Sequence, residues 1–190
     1  MDVMSPHSLD DEEIVRDILA GNVNRYAEIV RKYQENVANL CYKLAGQNID
    51  IEEVSQHVFV ELYTALPRFK FQSKLSTFIY RITLNTVCKE LKHNKRIVTG
   101  TIDNNILDNH DNSSAEHRII MDERHRQLHQ AIGCLKQEQR TAIILYTFDQ
   151  FSYNEIAQVM QCSTAKVESL IFRARKNLKN LLITKYHITQ

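Results

Sequence analysis

Two short stretches of helical periodicity, separated by a tight polar turn, constrain the fold of this chain more than any other feature. In the first stretch, Tyr153–Met160, apolar residues recur on one face of a helix. The turn follows at Gln161–Ser163, where the Ser163 hydroxyl can cap the next helix. Beyond the turn, apolar residues again recur at helical spacing, at Val167, Leu170, Ile171, Ala174 and Leu178. This pattern predicts a pair of helices whose apolar faces contribute to one core.

The other face of the second helix is strongly basic, with Lys166, Arg173, Arg175, Lys176 and Lys179. A short helix that supports a basic second helix is the helix-turn-helix arrangement, which places its second helix in the major groove of DNA. An ordinary helical hairpin with a solvated basic face is the alternative interpretation.

Charge is distributed unevenly along a chain whose formal net charge is only +1. A second basic segment precedes the helix pair and contains Arg68, Lys70, Lys74, Arg81, Lys89, Lys92, Lys95 and Arg96. Between the two basic segments lies a stretch whose charged residues are Asp103, Asp108 and Asp111. Two basic segments with an acidic connector predict two surfaces that contact nucleic acid.

The composition favours long helices, because the chain contains only two prolines and four glycines. We predict an all-α protein of two small helical domains joined by a flexible linker. Residues 10–96 form a bundle of about four helices, and residues 97–115, rich in Asn, Asp and Ser, form the linker. Residues 116–184 form the second domain, which contains the helix-turn-helix.

Several classes of protein are disfavoured. The four cysteines have no C-x-x-C spacing, so neither a zinc site nor a disulfide framework is expected. The N-terminus does not resemble a signal peptide, and no apolar run approaches the roughly 20 residues that span a bilayer. We therefore expect a cytoplasmic chain without membrane insertion.

The histidines suggest a metal site only weakly. His125 and His129 are four residues apart on a predicted helix, with Glu123 and His117 nearby. No His-Glu-x-x-His motif accompanies them, and a solvated helix face is the favoured interpretation. We expect no metal, no cofactor and no small-molecule substrate.

Aromatic residues alternate with cations between Arg68 and Arg81, at Phe69, Phe71, Phe78 and Tyr80. This combination is typical of proteins that bind single strands, since bases stack on the rings while cations follow the phosphates. Burial in a hydrophobic core is the alternative interpretation, and for Phe78 it is the preferred one. The preceding predicted helix exposes Glu52, Glu53 and Gln56, either as a docking surface or as a solvated face.

Three ordered segments carry the most specific pattern: IEEVSQHVFVELY from Ile51, FKFQSKLSTFIYRITLN from Phe69 and SYNEIAQVMQCSTAKVESLIFRARKNL from Ser152. Together with the opening DEEIVRDILAGNVNRYAEIVRKY, they resemble the extracytoplasmic-function (ECF) sigma factors, a two-domain class of bacterial transcription initiation factors. The resemblance covers almost the whole chain and breaks only at the linker. Phe78 stands where the family usually has tryptophan.

The resemblance implies a role for each segment. Glu52, Glu53 and Gln56 would dock on the clamp helices of core RNA polymerase. Phe69 and Asn85 would hold a flipped, unpaired base of the downstream (−10) promoter element. The nearby phosphates would be met by Lys89, Lys92, Lys95 and Arg96.

The second domain would bind the upstream (−35) element. The resemblance assigns base reading to Glu168, Ser169, Phe172 and Arg173. Phosphate affinity would be set by Arg175, Lys176 and Lys179. Lys166 lies on the same basic face. Glu168 stands where the family often has a cation, and a carboxylate can accept a hydrogen bond from cytosine N4. The expected partners are core RNA polymerase, promoter DNA and an anti-sigma protein, and no catalytic residue is implied.

Three other interpretations stay open. A dimeric helix-turn-helix regulator would bind duplex DNA without polymerase, and a helical nuclease would use the histidines and carboxylates. A sigma-like adaptor would bind polymerase without melting promoters, because of Phe78. The linker aspartates would either mimic RNA phosphates in the polymerase cleft or belong to a plain tether.

Overall fold

The protein is described from a computed structural model that covers residues 6–46, 48–100, 127–128 and 130–186. Within these ranges all regular structure is helical, which confirms the all-α prediction. The α-helices are α1 (Pro6–Leu19), α2 (Tyr26–Ala45), α3 (Ile51–Ala65), α4 (Leu75–Gly100), α5 (Gln137–Thr147), α6 (Tyr153–Met160) and α7 (Thr164–Tyr186). Short 3-10 turns lie at Val23–Arg25 and Leu66–Arg68. The chain divides into two compact units: the first contains the residues up to His93 together with Ala157–Gln161, and the second contains Asn94–Ile156 and the residues from Cys162 onward.

The first unit is built around the apolar stripes of its helices. α2 packs against α1 and α3, and most apolar positions that recur at helical spacing are buried: Ile14, Ile18, Ile29, Tyr33, Val37, Leu40, Leu44, Val54, Val58 and Leu62. Tyr26, Ile51 and Phe59, on the same stripes, are partly buried. The Asp50 side chain caps α3 by accepting a hydrogen bond from the Glu53 backbone N–H at 3.0 Å. A local hydrogen bond therefore defines the start of α3, and the apolar period of the helix determines which side is buried.

A buried carboxylate joins α1 to α2. Asp11 is 5% exposed and accepts hydrogen bonds from Lys32 Nζ and from the Tyr33 hydroxyl, each at 2.6 Å. Burial and the hydrogen bond to Asp11 raise the pKa of the Tyr33 hydroxyl above its usual value. Since a buried charge is tolerated only when it is paired and hydrogen-bonded, Asp11 fixes the position of α1 on the bundle.

The second unit places α5 against α7. Its buried residues include Ala142, Ile144, Leu145, Ile156, Val167, Ile171 and Ala174. A side-chain hydrogen bond of 2.9 Å from Asn177 to Gln139 also connects the two helices. The apolar stripe predicted for α7 is therefore its core-facing side.

The helix ends differ from the predictions in two places. α4 continues through Ile97–Gly100, which the sequence analysis assigned to the linker. Ile97–Thr99 contains no glycine or proline, the two residues that disfavour a helix most strongly. Gly100 is the first residue of this stretch that does so. α7 likewise extends to Tyr186. The rest of the predicted linker, with Asp103, Asp108 and Asp111, lies outside the described residues, as does most of the helix predicted from Glu116.

Candidate nucleic-acid interface

The helix-turn-helix is defined by two capped helices. Ser152 and Glu155 form a capping box at α6, in which the Ser152 hydroxyl accepts from the Glu155 N–H and the Glu155 carboxylate accepts from the Ser152 N–H. Ser163 caps α7 by accepting from the Lys166 N–H at 3.2 Å. In the turn between them, Gln161 adopts a left-handed conformation with φ +52°. The start of each helix is therefore fixed by local hydrogen bonds.

The outer face of α7 presents the side chains predicted to bind the upstream element. The exposed residues are Lys166, Glu168, Ser169, Phe172, Arg173, Arg175, Lys176 and Lys179. Phe172 is 69% exposed, although the neighbouring apolar positions Leu170 and Ile171 are buried. A single exposed apolar residue is common on protein surfaces, but Phe172 adjoins Ser169 and Arg173, which are predicted to read bases.

Protein contacts orient three of these cations. Arg173 donates hydrogen bonds to the Ser169 carbonyl and hydroxyl oxygens, at 3.1 and 2.8 Å. The Arg175 guanidinium lies 5.1 Å from the centre of the Tyr146 ring. Lys166 forms an ion pair of 2.7 Å with Glu138 on α5, and this hydrogen bond raises the pKa of the Lys166 ammonium.

A shallow groove of about 460 Å³ follows the same face. Its lining includes Tyr153 at the start of α6 and, on α7, Ala165, Glu168, Ser169, Ile171, Phe172 and Arg175. The groove combines a carboxylate, a hydroxyl and apolar surface, which are the groups that distinguish base edges in a major groove.

The exposed face of α3 carries Glu52, Glu53 and Gln56, as predicted. The same helix also exposes Val60 to 63% and Tyr63 to 41%. Helical spacing places Gln56, Val60 and Tyr63 on one side, so an apolar extension adjoins the polar positions. The sequence analysis did not predict this extension. Val60 and Tyr63 lie outside the buried stripe of α3, and their positions could have indicated it.

α4 presents Asn85, Lys89 and Lys92 as exposed residues at spacings of four and three, and thus on one face. Lys95 and Arg96 follow on the same helix, and their side chains lie outside the described set. Lys89 is held by Glu61 on α3, with Nζ 2.8 Å from Oε1. The Thr86 hydroxyl donates to the other Glu61 oxygen at 3.0 Å. Sequence reasoning did not identify Glu61 or Glu138 as the partners of the predicted DNA-binding lysines.

The Glu61 contacts predict a small acid sensitivity. Partial burial favours a higher pKa, but the hydrogen bonds from Lys89 and Thr86 outweigh it and hold the pKa of Glu61 below its ordinary value of 4.5. A depressed pKa stabilises the fold above the unfolded-state pKa, and this stabilisation is lost as the pH falls through the folded-state pKa. We expect Glu61→Gln to lower the free energy of unfolding at pH 7 by under about 1 kcal/mol, since the pair is largely exposed.

Urea denaturation of the wild type and Glu61→Gln across the acid range measures this effect. The difference between them is expected to shrink as the pH falls below 4.5, whereas Glu35→Gln, at an exposed position in the middle of α2, serves as the control. A difference that stays constant down to pH 3 would contradict the assignment of the ion pair.

Phe69 does not present its ring to solvent in this structure. It is 6% exposed, and its ring centre lies 4.9 Å from that of Phe71 and 5.0 Å from that of Phe78. Phe78 and Tyr80 are buried as well, which confirms the core interpretation for Phe78. This part of α4 is buried on more than one side, because Phe78, Ile79 and Tyr80 are all buried, and Arg81 lies 5.0 Å from the Phe78 ring.

The residues of the metal-site hypothesis lie outside the described part of the chain: His117, Glu123, His125 and His129. Among the described residues, no three His, Cys, Asp or Glu side chains are grouped as metal ligands. In the same part of the chain, none of the helices has the length and apolarity to span a bilayer.

Comparison with protein families gives two matches in order along the chain. Residues 29–97 match the model of Sigma-70 region 2, and residues 125–178 match that of Sigma-70, region 4. The first match covers most of α2, all of α3 and most of α4, and the second covers α5, α6 and most of α7. The first match therefore contains the exposed faces of α3 and α4, and the second contains the exposed face of α7.

Solved structures with a similar fold include CnrH in complex with the cytosolic domain of CnrY. That chain is 21% identical, with a TM-score of 0.68, and the alignment covers 92% of this chain and 98% of that one. Another is the sigma factor RpoE from Bartonella quintana in complex with the anti-sigma factor NepR. It is 20% identical, with a TM-score of 0.64, and the alignment covers 84% of this chain and 98% of that one.

Curated relatives are similar over nearly their whole length. The RNA polymerase sigma-H factor of Pseudomonas aeruginosa is 32% identical over 180 residues, which are 90% of this chain and 93% of that protein. The ECF RNA polymerase sigma-E factor of Haemophilus influenzae is 30% identical over 180 residues, which are 90% of this chain and 95% of that protein. Two region models in the right order, together with full-length similarity at this level, show that the chain belongs to the ECF family of RNA polymerase sigma factors.

Proposed function

We propose that this protein binds core RNA polymerase in the cytoplasm and directs it to promoters that it recognises and opens. The observation that carries the proposal is that both sigma-region matches contain exposed faces of suitable chemistry, on α3 and α4 in the first match and on α7 in the second. The protein acts by binding and not by catalysing a reaction, because trapping an opened promoter requires only that the unpaired strand be bound.

Upstream recognition uses the outer face of α7. Arg173 and Ser169 form a preorganised pair, and Phe172 offers an apolar surface that fits the thymine methyl group. Arg175, Lys176 and Lys179 contact phosphates, as does Lys166 once it leaves Glu138. The capped start of α7 supports this assignment, since it fixes which side chains reach base edges.

Downstream opening uses the first unit. Asn85 and Phe69 hold the extruded base, and Lys89, Lys92, Lys95 and Arg96 bind the adjacent phosphates. The spacing of Asn85, Lys89 and Lys92 along one face of α4 supports a track that follows the DNA backbone.

Docking on polymerase uses the exposed face of α3. Glu52, Glu53 and Gln56 supply the polar contacts, and Val60 with Tyr63 supplies an apolar centre beside them. Interfaces commonly combine a small apolar centre with a polar rim, and the α3 face has both parts.

An anti-sigma protein is proposed as a further partner. The two structural neighbours CnrH and RpoE were each solved with a bound protein, the cytosolic domain of CnrY and the anti-sigma factor NepR. Their similar fold supports the same type of partner for this chain.

Run-off transcription with purified core polymerase tests the function. The template is a DNA fragment from upstream of the protein's own gene, and reactions contain or lack the protein. A discrete transcript only in its presence supports the proposal. A stable complex with core polymerase that fails to open any promoter would favour an adaptor, and tight duplex binding without polymerase would favour an ordinary helix-turn-helix regulator.

Glu168 is expected to determine a base preference. Replacing it with glutamine removes a carboxylate that repels phosphate and accepts hydrogen bonds from cytosine N4. We expect Glu168→Gln to reduce the preference for cytosine at one position of the upstream element by about tenfold, within the usual 1–3 kcal/mol for one base contact.

A panel of promoters substituted at each upstream base, with binding measured at one salt concentration, checks this prediction. Lys179→Gln is the control, because loss of a phosphate contact should weaken binding to all sequences equally. A uniform change for Glu168→Gln across the panel would show that the carboxylate affects only general affinity.

A further inference from the structure

The loop between the Leu66–Arg68 turn and α4 contains a bulky residue in an unfavourable backbone conformation. Phe71 has φ +55°, in the left-handed region that large side chains rarely adopt. Two contacts hold its side chain. Its ring centre lies 4.9 Å from that of Phe69, and the Arg16 guanidinium from α1 lies 4.7 Å from the same ring. Because conformations of this kind persist only when the surroundings enforce them, they point to a functional constraint.

Phe71 is also the movable part of the cover over Phe69. Phe69 is 6% exposed between neighbours that include Phe71 and Phe78. Phe78 belongs to α4 and is 7% exposed, so it is fixed in the core. Phe71 is only partly buried and belongs to the loop. A change of its backbone to negative φ would carry its ring away from Phe69 without disturbing the helices.

The ring of Phe71 has the shape of the ligand that Phe69 is proposed to hold. A phenyl ring and a nucleobase are both flat, and both pack on an aromatic neighbour at similar separations. The Phe69–Phe71 pair has ring centres 4.9 Å apart and planes inclined by 54°, which is an ordinary aromatic contact. While this contact exists, a base does not reach that part of Phe69.

We propose that Phe71 is an internal stand-in for the extruded base, which covers Phe69 in the free protein and is displaced when an unpaired base of the downstream element enters. This inference rests on the proposed function, in which Phe69 holds that base. The relaxation of the Phe71 backbone favours displacement, so the closed loop is a poised state. The residue thereby sets how readily the protein accepts single-stranded DNA.

Arg16 is the positioning residue that keeps Phe71 closed. Its side chain is 65% exposed and has one weak ion pair, 3.6 Å from Glu12. A cation–π contact at an exposed site is weak, so Arg16 contributes only part of what keeps Phe71 closed.

The experiment measures how polymerase loaded with the full-length protein binds a single-stranded oligonucleotide carrying the non-template sequence of the downstream element. Phe71→Gly removes the ring and tolerates positive φ without strain. We expect it to bind the oligonucleotide about tenfold more tightly, which corresponds to roughly 1.4 kcal/mol. Phe71→Ala, which also lacks the ring, should shift the affinity in the same direction. Arg16→Met should tighten binding less, while Arg31→Met, an exposed arginine of α2, should leave it unchanged.

The direction of the change in affinity shows whether Phe71 covers the base site or supports DNA binding. If Phe71→Gly and Phe71→Ala weaken binding or leave it unchanged, Phe71 does not cover the base site and the inference is wrong. Phe69→Leu separates this outcome from a failure of the proposed function. Weaker binding by Phe69→Leu keeps Phe69 as the base-holding residue, whatever Phe71 does. Unchanged binding by Phe69→Leu would overturn the role of Phe69, and the stand-in with it.

Discussion

Reversing the charges of Glu52 and Glu53 together is expected to weaken binding to core RNA polymerase by about 100-fold, roughly 2.7 kcal/mol. Both carboxylates are exposed in the first turn of α3, on the side opposite to the buried Val54 and Val58. A partner surface that complements them carries positive charge, so two lysines would replace attraction by repulsion. Fluorescence anisotropy of the labelled protein titrated with core polymerase gives the dissociation constant.

The matched control is the double variant Glu13→Lys and Glu35→Lys. It changes the net charge by the same amount at exposed positions of α1 and α2. Thermal unfolding of both double variants shows how much stability each one loses. The lysines at the start of α3 are expected to destabilise it by about 0.3–1 kcal/mol, the usual effect of a charge near a helix end. Equal losses of affinity in the two double variants would mean that general charge, and not the α3 face, determines docking.

Removing the Asp11 carboxylate is expected to lower the free energy of unfolding by about 2–3 kcal/mol, since hydrogen bonds to charged groups are among the strongest in proteins. In Asp11→Ala, the Tyr33 hydroxyl loses a partner at 2.6 Å in a site where Tyr33 is 8% exposed. Lys32 loses its ion pair with the same carboxylate. The measurement is urea denaturation followed by circular dichroism.

Two further variants test whether the burial of Asp11 explains the loss of stability. Asp11→Asn keeps an acceptor for Tyr33 and should recover part of the loss. Asp17→Ala removes a carboxylate of the same helix that is 44% exposed and paired with Arg25, and should lower the stability by under about 1 kcal/mol. If Asp17→Ala is as destabilising as Asp11→Ala, the buried network does not determine how α1 is held.

Contacts between distant segments explain why the base site could not be predicted in full. The sequence places Phe69 among aromatic residues and cations, which is equally consistent with a binding surface and with a core. Its burial depends on Phe78 from α4 and on Phe71, whose ring is in turn contacted by Arg16 from α1. No local pattern encodes these contacts, because they arise when α1, the loop and α4 pack together.

The ion-pair partners of the predicted DNA-binding lysines could not be predicted from the sequence for the same reason. Lys89 pairs with Glu61, and Lys166 pairs with Glu138, each 28 positions away along the chain. A lysine can be assigned to an exposed face from its helical position alone. Which carboxylate lies within reach depends on how two helices pack, so these partners were found only in the structure.

The sequence by itself determined the helices, the helix-turn-helix and the exposed face of α7. These features depend on interactions between residues a few positions apart: apolar periodicity, the cap at Ser163, and the scarcity of glycine and proline. The tertiary structure alone decided that Phe69 is covered, that Phe71 is held at positive φ and that Asp11 is buried against α2. Those properties depend on side chains from separate helices meeting at one place, where packing and desolvation outweigh local preference.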